Sequence, residues 1–496
     1  MLEFITSYVG SHWISRFLLF RVLGLTYAFA FLSAALQIKP LIGESGLTPA
    51  KQFLNRLSQR FSSIGEALWY HPTLFWFNDS DAALTSLAWI GFFLSLLVTF
   101  GLANIPILLA LWALYLSINK VGQVWYGYGW ESQLLETGFL AVFLAPPLNP
   151  MPFASFQPPT VAILLTWWLV IRIYLGAGLI KLRGDNCWTD LTALEYHFET
   201  QPIPNPLSTF FHHLPNTVLK AGTVLTHIVQ VGVPWLILAP LEVRSVAGIL
   251  LICFQVALMI SGNLSFLNLV TIAPTIPALT DQAWSYVMPT VVRHQASVAA
   301  ANAWTFPYHA WVYALVVAYL SVPVVKNLMS HHQAMNASFN QFSLVNTYGA
   351  FGSVTKQRNE LVIQGTSDDE IDENTEWETY EFPGKPTDTE RSLSFIAPYQ
   401  PRIDWQLWFA AFQSPRQNPW LFTFIDKLLE NDEHATSPLR DNPFEDESPE
   451  YTRVEYYQYH LNPPLSDQSW SREYKGTYIQ PRSKDGFTRS RFKRSA

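Results

Sequence analysis

Seven acidic or basic side chains, Lys181, Arg183, Asp185, Asp190, Glu195, His197 and Glu199, fall within Gly176–Ser208, all of them after the apolar run Val161–Ile180. Such residues transfer protons, bind metals or pair as ions, depending on which of them share a face. Tyr174, Gly178 and Lys181 follow at helical steps of four and three, so they lie on one side of a helix. Two roles fit Lys181: an interfacial anchor beside Arg183, favoured by the helix dipole, or, partly buried, a general base. Asp185, between Gly184 and Asn186, suits a tight turn, Asp190 is expected to cap a helix beginning near Leu191, and Arg183 is expected to pair with Asp185 or Glu195.

His197 stands between Glu195 and Glu199, which lie one helical turn apart, and it cannot face both from a regular helix. No HExxH spacing is present, and Pro202, Pro204 and Pro206 impose an extended segment before His212 and His213. No metal site is therefore predicted. A second cluster, Glu131 and Glu136 in GWESQLLETG, is costly near lipid and should face the protein interior or water, with Lys120, Arg172 or Lys181 as possible ionic partners. Asn263, Asn268 and Thr271 suit helix-to-helix hydrogen bonds or the lining of an internal cavity. The chain lacks a GxSxG elbow, a phosphate-binding glycine loop, zinc-finger spacing and a Rossmann fingerprint, so no cofactor is predicted.

The elements that must hold these residues are membrane helices. Charged residues make up only 14% of the 496, against 49% hydrophobic, and soluble domains carry about 25% charge. Candidate spans are 18–38, 82–100, 105–118, 161–180, 222–240, 246–259, 264–279 and 306–325, with a shorter piece at 134–144, roughly seven to ten crossings in all. The first is read as a retained helix with Arg21 snorkelling at an interface. Lys and Arg are scattered over several connections, so orientation is not specified. The net charge of −7 gives no nucleic-acid footprint, and two cysteines, Cys187 and Cys253, give no redox pair and no expected disulfide. Asn78-Asp79-Ser80 and Asn336-Ala337-Ser338 fit the glycosylation pattern.

After Asn327 the character changes. The expected organisation is a polytopic helical domain over 1–327 and a soluble, mainly β domain with short helices over 328–496. Strands are predicted at 359–365, 377–382, 452–461 and 474–479, and amphipathic helices at 404–412 and 421–429. The terminus SKDGFTRSRFKRSA reads as a solvated tail or a contact with anionic lipid.

Five segments, GWESQLLETGFLAVFLAP, the Gly176–Ser208 stretch, PYQPRIDWQLWFAAF, NPWLFTFIDKLLEND and YTRVEYYQYHLNPP, resemble the lipase maturation factor family along nearly the whole chain. The resemblance implies a multipass membrane protein whose animal members reside in the endoplasmic reticulum and assist folding of secreted lipases. It makes Arg402, Asp404 and Trp405, with Trp408 and Phe409, candidates for a client-facing or structurally required patch. Partners implied are the lipid bilayer and a secreted lipase or other translocated polypeptide, in the endoplasmic reticulum of a eukaryote or the plasma membrane of a bacterium; oligomeric state is left open. AGLIKL and the following Trp188 are also similar to the AGVKKL motif and nearby tryptophan of the vitamin K-dependent carboxylase superfamily, which implies Lys181 as a base on a lipid or quinone-like substrate. The spacing to Trp188 is longer here, and GWESQLLETG lacks the Asn-Asn-His character of those enzymes.

Overall fold

A computed structural model describes residues 7–484 and the backbone of 486–487, so most of the basic terminus lies outside the described residues. The helices that frame the molecule are α1 (Trp13–Ile42), α2 (Asp81–Phe100), α3 (Ile105–Val121), α4 (Gly129–Val142), α5 (Thr160–Gly184), α6 (Ala193–Thr200), α7 (Asn216–His227), α8 (Leu241–Ser261), α9 (Leu267–Thr275) and α10 (Tyr308–Met329). Six pieces are long and apolar enough to cross a membrane: α1, α2, α5, α8, α10, and α7 continued to Leu238 through a π turn and a 3-10 turn. Of the pieces counted at seven to ten from the sequence, α3, α4 and α9 are shorter but run between the same two ends of the bundle.

Local sequence sets the boundaries. Ser80 and Asn104 accept from Ala83 N and Ile107 N to start α2 and α3, and Gly101 ends α2 at φ 112°. The outward faces are apolar: Phe93 of α2, Val246 of α8, and Val312 and Leu315 of α10 are each more than half exposed, a surface that lipid accommodates and water does not.

One end of the bundle gathers the N-terminal stretch with the loops after α4 and α9. There Asp281 accepts from the backbone of Trp13 (2.9 Å) and Ile14 (2.7 Å), and Arg16 donates to Phe156 O and Ala154 O. Arg21, expected at an interface, is half-buried, donates to Phe17 O and lies over the Phe17 ring.

The other end carries the C-terminal domain. Its sheet joins β1 (Arg358–Thr366), β2 (Glu378–Thr379), β3 (Tyr451–Leu461), β4 (Trp470–Ser483) and β5 (Gly486–Phe487) in the antiparallel order β2-β1-β3-β4-β5. Leu361, Ile363 and Val454 face inward at alternate positions. Against them pack α11 (Arg402–Ala410), through Ile403 and Leu407, and α12 (Pro419–Leu429), through Leu421, Phe424 and Leu428. Pro419 opens α12 at its first position, where a missing N–H costs nothing. The architecture is thus a multipass helical bundle followed by a mainly β domain with short helices.

Buried ions join the two parts. Arg402 donates to Glu131 Oε1 at 2.9 Å, both side chains being fully excluded from solvent, and Tyr115 OH donates to the second Glu131 oxygen. Arg402 also donates to Trp125 O and lies 3.6 Å from the centre of the Tyr126 ring. Around the pair, Tyr128 stacks on Trp130 at 4.6 Å, and the edge of Trp405 meets both rings. Arg402, Asp404 and Trp405, the candidates for a client-facing or structurally required patch, are all buried and lie on the inner side of the domain contact. Glu131 takes none of the partners expected from the sequence.

Removing one member of such a pair strands a charge, which costs about 3–5 kcal/mol. Arg402→Met is therefore expected to lower the thermal unfolding midpoint of detergent-solubilised protein sharply. The double variant with Glu131→Gln should regain most of that loss. Equal destabilisation in single and double variants would show that the pair does not hold the domain.

Candidate functional site

Two glycines on one face of α5 let the chain after α10 lie against it. A Cβ at Gly176 would stand 2.2 Å from Tyr348 O, and one at Gly184 would stand 2.4 Å from Gly352 O. Gly178, on another face, admits the π turn, since its Cβ would meet Val231 Cγ2 at 2.6 Å. The glycines of GAGLIKLRG are thus close-approach positions that put residues 345–352 and the π turn on either side of Lys181.

Glu136 holds the same segment. Arg172 pairs with it, as the sequence allowed, and Asn346 N (2.9 Å), Asn346 Nδ2 (3.1 Å) and Tyr348 OH (2.6 Å) donate to it. Both carboxylates of GWESQLLETG are therefore committed to buried arginines and to fixing C-terminal segments.

Lys181 is buried and donates to Ala177 O (3.1 Å) and Ala350 O (2.7 Å), with its ammonium 5.1 Å from the centre of the Trp188 ring. Trp188 Nε1 donates to Phe351 O at 2.8 Å, and Phe351 takes a φ of 52°, a costly conformation for an aromatic residue. Arg183 turns away from both expected partners: it donates to Leu328 O (2.8 Å) and Gln333 Oε1 (2.9 Å), tying the end of α5 to the end of α10. Asp185 is occupied in capping the turn Asn186–Thr189 through Cys187 N. Asp190 does not cap α6, which starts at Ala193 after Thr192 without a side-chain cap; it closes the turn Asn186–Thr189 instead, its N–H donating to Asn186 O at 2.8 Å. Glu195 makes no ion pair among the described residues and is partly exposed.

Glu199 points to the β domain. Its Oε1 accepts from Leu461 N at 2.8 Å and stands 3.9 Å from both His212 Nε2 and His460 Nδ1. Arg358 of β1 donates to the carbonyls of Glu199 (2.8 Å), Gln201 (2.5 Å) and Pro202 (3.2 Å) while pairing with Glu360, which also pairs with Lys385. Among the described residues no group of three or more His, Cys, Asp and Glu is arranged to hold a metal ion. Cys187 is buried, Cys253 is exposed and both are free.

Between bundle and domain lies a cavity of about 610 Å³. Lys181, Trp188, His197 and Gln230 line it, together with Trp405 and Trp408 from α11. Glu131, Glu136, Arg183 and Asp185 do not. Trp408 Nε1 donates to Thr200 O at 3.0 Å and so fixes that wall to the end of α6. Gln133, Gln230 and Gln255 carried no signal in the sequence, and Trp405, Trp408 and Phe409 stood out only through the family resemblance, because a cavity between remote segments has no local pattern.

Burial, and next the charge of Lys181, bring the His197 pKa down to about 4. Because this value lies below the unfolded one near 6.5, the buried neutral imidazole adds stability above about pH 6.5 that is lost as pH falls towards 4. Acidification from pH 7.5 to 5 should remove about 2 kcal/mol through this group. His197→Phe should flatten the pH dependence of the unfolding midpoint over that range; an unchanged slope would refute the assignment. Asp404 responds in the opposite sense: burial raises its carboxyl to about 6 although Gly384 N donates to it, so its contribution favours acid.

Residues 14–286 match the lipase maturation factor transmembrane domain, and residues 344–480 match the lipase maturation factor C-terminal domain. The mouse protein lipase maturation factor 1 is 42% identical over 507 residues, covering 96% of this chain and 88% of the relative. Its human counterpart is 40% identical, with coverages of 96% and 89%. Lipase maturation factor 2 of Xenopus laevis is 28% identical, with coverages of 91% and 79%. No solved structure matches the chain. With the helical and the β part both matched, and relatives of 40% and 42% identity along nearly the full chain, this multipass membrane protein belongs to the lipase maturation factor family.

Proposed function

We propose that the protein resides in the endoplasmic-reticulum membrane with its C-terminal domain in the lumen and assists the maturation of secreted lipases or other translocated polypeptides. The observation that carries this reading is the clamped domain: a β sheet held against a membrane bundle by buried ions is presented as a rigid platform at one membrane face. The relatives named lipase maturation factor 1 align across both parts. The test is secretion of active lipase from cells that lack their own maturation factor. The protein should restore it, and Arg402→Met, which unclamps the domain, should not. Normal lipase output without the added protein, or none with it, would overturn the proposal.

Orientation is open to a separate test. Asn78 precedes α2 and Asn336 follows α10, both at the end of the bundle that carries the C-terminal domain, and both are exposed. If that end is lumenal, Asn78 or Asn336 should receive a glycan, seen as an endoglycosidase-sensitive mobility shift that vanishes in the double variant with Asn78→Gln and Asn336→Gln. Absence of any shift on the unaltered chain in mammalian cells would refute the orientation.

A second reading is a membrane enzyme in which Lys181 takes a proton from a lipid or quinone-like substrate; it is supported by the place of Lys181 on the cavity wall. Glu131 and Glu136 have no part in it, being committed elsewhere. Under this reading Lys181→Arg, which keeps the charge but accepts no proton at neutral pH, should abolish function as fully as Lys181→Ala. Under the first reading it should be tolerated.

A further inference from the structure

The cavity is lined by a buried lysine with no carboxylate partner among the described residues. Lys181 is 3% exposed, yet no carboxylate lies within ion-pair distance among the described residues, and only two backbone carbonyls receive its N–H groups. Other buried cations are different: Arg172, Arg402, Arg358 and Lys385 all have a glutamate. Arg16 and Arg244 also lack a carboxylate, but they donate only to carbonyls and do not line this cavity. Beyond its two carbonyls the Lys181 ammonium has only the Trp188 ring, 5.1 Å away, and a buried ammonium is costly unless a counter-charge completes it.

Unused hydrogen-bonding capacity clusters at the same corner. The His197 ring has no hydrogen-bond partner among the described residues and packs on Phe351, next to the Ala350 whose carbonyl takes Lys181. The Gln230 side chain, 6% exposed and beside Gly178, makes no hydrogen bond among the described residues, so its Nε2 is an unused donor as its Oε1 is an unused acceptor. Elsewhere the polar groups of the wall satisfy one another: Gln133 donates to Thr271, and Gln255 donates to Tyr174 while accepting from Asn268. The remaining lining is apolar, with Phe198, Leu219, Phe254 and Leu258 among it. Val218, Gly222 and Leu225 share one face of α7 and all line the cavity, and Val218 and Leu225 are 48% and 55% exposed, so the opening runs along a helix of membrane length.

We infer that this cavity binds a single long-chain fatty acid, its carboxylate on Lys181 with His197 and Gln230 beside it and its acyl chain directed towards Val218 and Leu225. One small anionic head satisfies the lone ammonium, one chain suits the apolar wall, and about 610 Å³ lies within the range of about 300–1,000 Å³ that holds one small ligand. Lys181 acts here as a charge and not as a base, so the inference does not rest on the enzymatic reading.

The test is saturable binding of oleate and of oleyl alcohol to the full chain in nanodiscs at neutral pH, with mass spectrometry of its organic extract. Oleate should bind at least about tenfold more tightly than oleyl alcohol, the difference made by one charge-assisted hydrogen bond. Lys181→Met should reduce oleate to the level of the alcohol, Lys181→Arg should retain it, and Gly222→Leu, which fills the chain's path, should weaken both ligands. Equal binding of oleate and oleyl alcohol, undiminished oleate binding by Lys181→Met, or no saturable binding would overturn the inference. If Lys181→Met does not give monodisperse protein, the two ligands compared on the unaltered chain and on Gly222→Leu decide the matter.

Discussion

Glu131 and Arg402 meet where neither can reach water, and the arrangement of both parts of the molecule follows from keeping them together. A carboxylate in the interior of a helical bundle is tolerable only when a cation and further donors surround it, and here one comes from Arg402 and another from the Tyr115 hydroxyl. Satisfying Glu131 in this way requires α11 to enter the end of the bundle. That places Trp405 against Tyr128 and Trp130 and lets Gln37 accept from Arg402 N while donating to Gln400 O. The sheet follows, because α11 packs on β1. Glu136 repeats the device one turn further along α4, with Arg172 as cation and the Asn346–Tyr348 segment as the piece held.

The cavity is a by-product of this docking as much as of the helices. Its walls come from α4 to α9 on one side and from α11 and residues 348–353 on the other, so the domain completes it. Its chemistry is uneven for the same reason. Polar groups contributed by neighbouring helices find one another, whereas Lys181, at the end of α5, faces residues supplied by the incoming segment, and these offer carbonyls and rings but no carboxylate.

The readable features were those with a local cause. Length and apolarity disclosed the membrane helices, and alternation disclosed β1 and β3, which appear as Arg358–Thr366 and Tyr451–Leu461. The pairing of Glu136 with Arg172 was within reach because both lie on helices that must hide their charges. Arg402 as the partner of Glu131 was not, since the two are 271 positions apart and nothing in either neighbourhood points to the other. Arg183 was misassigned for a related reason: nearby acids looked available, but Asp185 was already spent on a cap and the last carbonyls of α10 were not visible as acceptors. The glycines of GAGLIKLRG stood out as a pattern, yet their purpose, admitting the Tyr348 and Gly352 backbone, appears only in three dimensions.

The separation of Glu131 from Arg402 also has a meaning in time. Chain synthesis delivers the carboxylate 271 residues before its arginine, so every helix of the bundle is made while that charge has no counterpart. The bundle cannot be finished helix by helix as it emerges; its last structural step waits for α11, far into the C-terminal domain. A chain truncated before Arg402 leaves Glu131 inside a membrane protein without its cation, so the fault of an incomplete molecule lies in the bundle and not only in the missing domain.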